Sequence, residues 1–315
     1  MKIIAHIGAH RTSSTSFQAY LDEHRTELAQ DSVAVWGLER TRKGLFAGLK
    51  PKPGPAYRKD AANRARGRIS MQLDKAEMNG VRTLLVSEEN MIGSTRANLS
   101  ARQLYPAIGE QMARYAWAFD QRIERIILSV RSHEFWWSSA ISYAVSRGAS
   151  VPSSSELKDI VTNRRGWRDV ITDLHCAVPE AEILVMPFEA FAGRPALMLK
   201  CGTGCNAPEP RTIQWLNRSP ELAELRRALQ ARGENVDVLP HGQGRWSPFS
   251  DEQQAELREL YADDLFWLTA GADGLAKLMK DPLKETWRNS QAGRAYENDR
   301  GHSNDGQQQQ VARPG

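Results

Sequence analysis

The chain has 315 residues, 41% of them hydrophobic and 25% charged, with a formal net charge of +4; this suits a globular protein with one sizeable core, or one core and an appendage. Three cysteines, Cys176, Cys201 and Cys205, are too few for a disulfide framework, and the last two lack the second pair that a zinc site needs, so free thiols and no metal are expected. The opening apolar run is too short for a secretory signal, and no stretch approaches the roughly 18 apolar residues of a membrane span, so a cytoplasmic protein is expected.

The chain opens on a strand, Ile3 to Ile7, and passes through Gly8 into Ala9-His10-Arg11-Thr12-Ser13-Ser14-Thr15-Ser16. Gly8 permits a sharp turn, Arg11 carries a fixed positive charge, and the hydroxyls of Thr12, Ser13, Ser14, Thr15 and Ser16 fall where the first free amides of a helix point outward. The same residues also suit an ordinary helix N-cap. As an anion site, the loop takes phosphate or sulfate. It departs from a Walker A loop because, counted from Gly8, Ser14 stands at the lysine position, which argues against a Mg²⁺-dependent nucleoside triphosphatase.

A helix is predicted over 14–30 and a short strand over Val33 to Trp36. Between Arg40 and Arg68 lie ten basic residues and one acid, Asp60. With Pro51, Pro53 and Pro55 in its middle, this segment reads as a long basic loop leading into a helix at about 59–79. It is either a solvated surface or a patch for an anionic partner. The absence of interleaved aromatics gives no support to nucleic-acid binding.

Further strands are predicted at Thr83 to Ser87, ending in Glu88-Glu89, at Arg125 to Val130, ending in Arg131, and at Glu182 to Met186. Helices are expected near 99–117, 133–147, 164–177, 188–199 and 219–232. Ser250 to Gln253 reads as a capping box opening a last helix to Leu268. The Gly-, Asn- and Gln-rich tail 289–315 reads as disordered. Repeated strand-then-helix order predicts an α/β fold of three layers, a mainly parallel sheet flanked by helices, over residues 1–288 with a basic insertion at about 38–80. Ligands in such folds bind beyond the carboxyl ends of the strands, where Arg11, Glu88, Glu89 and Arg131 fall.

Arg131 at a strand tip and Ser139, two turns into the next helix, can converge on a second anion. With this pair beside the first loop, the sequence resembles the sulfotransferases that use 3′-phosphoadenosine 5′-phosphosulfate (PAPS). Gly8 to Gln18 looks like that family's 5′-phosphosulfate loop, with Arg11 in place of its lysine, Ser13 in place of its glycine and Ser14 in place of its first threonine. Leu128-Ser129-Val130-Arg131 with Ser138-Ser139 looks like the 3′-phosphate site, and Leu84 to Asn90 resembles the strand that ends in a catalytic glutamate. The likeness spans residues 1 to about 270 and implies a P-loop-type nucleotide-binding fold.

The resemblance implies sulfuryl transfer from PAPS, leaving PAP, to a hydroxyl or amine of a small-molecule or saccharide acceptor, without a metal. Thr12 to Ser16 and the helix amides would hold the 5′-phosphate, Arg11 would neutralise the departing oxygen, and Arg131 and Ser139 would clamp the 3′-phosphate, with Arg245 assisting from the loop His241 to Trp246. Glu89 is the first candidate for the base, Glu88 the substitute, and His10 and His133 the histidine alternatives. Trp136 and Trp137 are expected in the core, although with Trp36 they could wall an adenine or sugar site. Two other readings stay open: a non-catalytic PAP-binding relative and a P-loop kinase.

Overall fold

Alternation along the strands decides the layering. The computed structural model describes residues 1–50 and 59–280; Pro51, Pro53, Pro55 and the predicted disordered tail lie outside the described residues. The strands are β1 (Lys2–His6), β2 (Val33–Trp36), β3 (Thr83–Ser87), β4 (Ile123–Val130), β5 (Glu182–Pro187) and the two-residue β6 (Lys277–Leu278). Because successive side chains leave a strand on opposite faces, Ile3, Ala5, Leu84, Val86, Ile126 and Leu128 enter one apolar core, while Ile4, Leu85 and Ile127 enter another. A sheet apolar on both faces must be covered on both, which makes the fold three-layered.

The six strands are all parallel, in the order β2-β3-β1-β4-β5-β6. On the smaller side pack α1 (Ser14–Glu23) and α2 (Arg25–Gln30) through Phe17, Leu21 and Leu28. After β2 come α3 (Leu38–Arg40), continued by a wide turn at Thr41–Leu45, and α4 (Lys59–Met78). Then follow α5 (Thr95–Ala101), α6 (Ile108–Ala118), α7 (His133–Ser146), α8 (Ser154–Thr162) and α9 (Trp167–Ala177). The chain closes with α10 (Phe188–Phe191), α11 (Pro195–Thr203), α12 (Leu222–Ala231) and α13 (Asp251–Thr269). Helices α6, α7, α9 and α13 fill the larger core with Met112, Trp136, Trp167 and Leu268, whereas α11 sends Met198 and Leu199 into the smaller one. Among the described residues no helix is long and apolar enough to cross a membrane.

The predicted strands all form, but several predicted helices are divided. The segment 99–117 becomes α5 and α6 because Arg102 and Tyr105 take left-handed φ of 53° and 42° ahead of Pro106, a residue that disfavours helix in its predecessor. The segment 188–199 breaks at Gly193, with φ 75°, and restarts with Pro195 in the first turn of α11. Helix α8 escaped the sequence reading although Ser153 and Glu156 form its capping box.

The basic segment is also less loop-like than expected. It opens on α3 and the wide turn at 41–45, and four of its described cations have internal partners: Arg40 stacks 4.8 Å over Trp36, Arg42 pairs with Glu88 and Glu89, Lys43 with Glu39, and Arg66 with Asp120. Trp36 is therefore core under an arginine, not the wall of a ligand site, and Trp136 and Trp137 are core as expected.

His6 ends β1 fully buried, with Nδ1 2.7 Å from Ser87 Oγ, its neighbour across the β1–β3 pair. Burial lowers its pKa from 6.5 to about 4, against the weaker opposing pull of Glu89. Between those values the unfolded imidazole takes a proton that the folded one refuses, so stability is lost as pH falls through this window, by roughly 3 kcal/mol in all. Urea unfolding at a series of pH values should show that slope in the native chain and a flatter one in His6→Gln. An unchanged slope in the variant would assign it to other groups.

Candidate functional site

The chain runs from β1 outward to β2 and β3 on one side and then to β4, β5 and β6 on the other, so the strand order reverses next to β1. A crevice opens at such a switch point, beyond the carboxyl ends of the strands. The tips of β3, β1 and β4 are neighbours there, and they deliver Glu89, the Gly8–Ser13 loop and Arg131 to one place.

The loop after β1 is held by its own hydroxyls. Thr12 Oγ donates to the Ala9 carbonyl at 2.6 Å and accepts from the Ala9 amide at 3.2 Å, while Ser14 Oγ donates to the same carbonyl at 3.2 Å. Gly8 has φ 49°, and a Cβ on it would stand 2.2 Å from Ser14 Oγ, so this turn requires glycine. Arg11 and Ser13 both adopt φ 66°. A left-handed non-glycine residue costs about 1–2 kcal/mol, and alternation of this kind turns successive amides toward one concave side that suits an anion. No side chain caps the first turn of α1, and Ser13 stands at its N-cap.

The hydroxyls divide more sharply than the sequence suggested. Ser13, Ser14 and Thr15 line a cleft of ≈ 460 Å³. Thr12 is buried inside the loop, and Ser16 Oγ accepts from the Leu216 amide at 3.0 Å outside the cleft. These two brace the loop and do not face the ligand space, which corrects their expected role. Ser14 does both, since it lines the cleft while donating to Ala9.

Across the cleft the two predicted arginines meet. Arg11 Nε donates to Ser139 Oγ at 2.9 Å, and its guanidinium lies 4.6 Å over the Tyr143 ring. Arg131 donates from Nη1 to the Arg11 carbonyl at 3.0 Å and stacks 4.4 Å over Phe188, while its buried Nε has no partner. Burial pushes both guanidiniums down to about 10, with Arg245 adding repulsion at each. Neither forms an ion pair among the described residues. Glu189 offsets part of the charge at Arg131, but two partly desolvated cations in no ion pair and an orphaned donor suit an anion. Arg245 lines the cleft and also a side cavity of ≈ 160 Å³ with Arg131, Ser138, Ser139 and Ser142.

The two glutamates, adjacent in sequence, have different surroundings. Glu88 is buried and accepts from Thr41 Oγ1 at 2.8 Å, from Arg42 Nε at 3.0 Å and Nη2 at 2.8 Å, and from the Asn90 amide at 3.1 Å. It anchors the turn after β3 and does not line the cleft, so it is no substitute base. Glu89 does line it, accepting from Gln18 Nε2 at 2.7 Å and Arg42 Nη2 at 2.8 Å. Burial works to raise its pKa, but the Gln18 bond, its own backbone amide, Arg42 and His10 outweigh that and leave it lowered, so the carboxylate form is present at neutral pH.

Neither histidine is placed to act as a base. His10 borders the cleft, but its Nδ1 lies 3.0 Å from Tyr105 Oη and its Nε2 3.3 Å from Asn90 Oδ1. The amide oxygen requires Nε2–H, which makes Nδ1 the acceptor of the Tyr105 hydroxyl and leaves no free lone pair. Burial also lowers its pKa. His133 is fully buried and bound through Nε2 to Asp264 Oδ2 at 2.8 Å, away from the cleft. Asp264 in turn accepts from the Trp167 and Arg168 amides and so fixes the start of α9.

Sequence reasoning missed the strap 215–219. Ser219 Oγ lies 2.5 Å from Ser139 Oγ, Asn217 Nδ2 donates to Thr15 Oγ1 at 3.0 Å, and Trp215 to Ser219 all line the cleft. Its polar residues, Asn217, Arg218 and Ser219, form no motif, and nothing local ties them to a loop two hundred residues earlier. Fold and cleft together define a three-layer parallel α/β protein of P-loop type with a cationic crevice at its switch point. Compared with protein-family models, with curated proteins and with solved structures, the chain gives no match.

Proposed function

We propose that the cleft binds PAPS and its product PAP, and that the protein is a PAPS-dependent sulfotransferase acting on a hydroxyl or amine. The observation that carries this reading is the convergence of Arg11 and Arg131, half-buried and in no ion pair among the described residues, on one cleft, with Arg131 donating to the Arg11 carbonyl and Arg11 to Ser139. The residues fit a nucleotide with two separated phosphates: the β1 loop and the first turn of α1 suit one, and Arg131, Ser138, Ser139 and Arg245 around the side cavity suit the other. A nucleotide phosphorylated only at the 5′ position leaves the second set unused.

When bound, PAPS supplies an activated sulfuryl group on a phosphate leaving group. Arg11 offsets charge that develops on the departing oxygen, and the amides of the loop need no reorganisation to do the same. Glu89 takes the proton that the acceptor loses, with Gln18 and Arg42 holding the carboxylate in place. Arg131, braced on the Arg11 carbonyl, fixes the relative position of the two phosphate sites.

Thermal unfolding with PAP, AMP, ADP and Mg²⁺–ATP tests the reading. Saturating PAP, at about a hundred times its Kd, should add about 2.7 kcal/mol of stability, and AMP much less at the same concentration. Equal shifts with PAP and AMP would remove the role given to Arg131 and Ser139, and a preference for Mg²⁺–ATP would favour a kinase.

A further inference from the structure

Helix α7 has a second ligand-sized space at its carboxyl end. Its last turns and the 147–152 loop face α5 and α8 across a cavity of ≈ 600 Å³, within the usual range for small-molecule sites. Leu99, Ile141, Val145, Val151, Pro152 and Ile160 form an apolar wall. Three arginines also line it. Arg102 is engaged by Glu156 at 3.0 Å and Asp159 at 3.5 Å, whereas Arg96 and Arg147 form no ion pair among the described residues. Glu156, the one carboxylate lining the cavity, is thereby matched, and the two remaining arginines leave a net positive charge.

The cavity adjoins the nucleotide cleft, since Thr95 and Tyr143 line both. Two guanidiniums stack on the Tyr143 ring, each 4.6 Å from its centre: Arg11, which lines the cleft, and Arg147, which lines the cavity. Glu89 shares the cleft with Thr95 and Tyr143.

We infer that this second cavity is the acceptor site, and that the acceptor is an amphipathic alcohol with an apolar body and an anionic group. The wall takes the apolar body, Arg147 and Arg96 attract the anion, and the hydroxyl passes the Thr95–Tyr143 boundary toward Glu89. A neutral polysaccharide matches neither the apolar wall nor the unpaired cations. The term acceptor rests on the sulfotransferase reading; the binding of an anionic amphipath does not.

Calorimetry on the full chain, with and without PAP, separates the two. The probes are 12-hydroxydodecanoate and cholate, with dodecane-1,12-diol and gluconate as controls lacking the charge or the apolar body. Either anionic amphipath should bind about tenfold or more tighter than both controls, the margin of one charge-assisted contact. Arg147→Gln should remove that advantage over the diol. Ala149→Trp, at an exposed position lining the cavity, should block both amphipaths while PAP binds as before. Binding of neither amphipath by a chain that binds PAP normally, or equal binding in Ala149→Trp, overturns the inference. Amphipath binding by a chain that fails to bind PAP would retain an anionic-amphipath site and overturn its role as acceptor site together with the cofactor reading.

Discussion

Glu89→Gln should slow sulfuryl transfer on the order of 10²-fold or more while PAP affinity stays within a factor of about two, the signature of a proton acceptor that acts in the transition state only. The substitution keeps the shape of the side chain: Arg42 can still donate to the remaining oxygen, and Gln18, whose buried Oε1 has no partner, can turn its amide to accept from the new NH2. The measurement is transfer of labelled sulfuryl from PAPS to an anionic alcohol, with PAP binding followed separately. Glu88→Gln is the informative neighbour. Its four donors belong to Thr41, Arg42 and the Asn90 amide, so the change should lower thermal stability and leave kcat in the folded fraction nearly intact. Full activity in Glu89→Gln would refute the base assignment, and since both His10 nitrogens are engaged, the acceptor proton would then leave to solvent.

Arg131→Met should weaken PAP binding on the order of 10²-fold, the upper range for loss of a charge-assisted contact. The unliganded protein should lose little stability. A half-buried guanidinium held near Arg245, with a buried and unpartnered Nε, is already unfavourable, and methionine fills the space over Phe188 without that charge. Arg131→Lys should fall between, because a single ammonium cannot reproduce a fork. Paired measurements of thermal midpoint and PAP affinity decide the matter. A large drop in the midpoint with unchanged PAP affinity would make Arg131 a structural residue.

Five of the six parallel strands were legible in the sequence because they are short apolar runs rich in isoleucine, leucine and valine, each followed by helix, and that pattern is local; β6, two residues long, carries no such run. Arg11, Ser139 and Arg131 were legible as neighbours only through the two spaced motifs, since 128 residues separate Arg11 from Ser139. The different surroundings of Glu88 and Glu89 were not legible. Adjacent residues at a strand end point apart, but which one faces the cleft depends on Arg42 and Thr41, supplied by a segment read as loop. Tyr105 likewise occupies His10 from a helix break that Pro106 signalled and the apolar periodicity hid. The strap 215–219 had no signal of its own because serine and asparagine mark surfaces everywhere.

The cleft has a temporal consequence. Its walls come from the ends of β1, β3 and β4, from α7 and from the strap before α12, and the hydrogen bonds that join Arg11 to Ser139 and Ser219, Gln18 to Glu89 and Arg131 to Arg11 span 71 to 208 positions. No short stretch of chain can form even half of it. Parallel pairing over such separations is intrinsically slow, so during synthesis the nascent chain cannot assemble the cleft until residues well past Ser219 have emerged. The cleft therefore completes at the end of folding and is among the first features lost when the sheet opens, so any ligand it takes would report the finished tertiary structure and slow its unfolding.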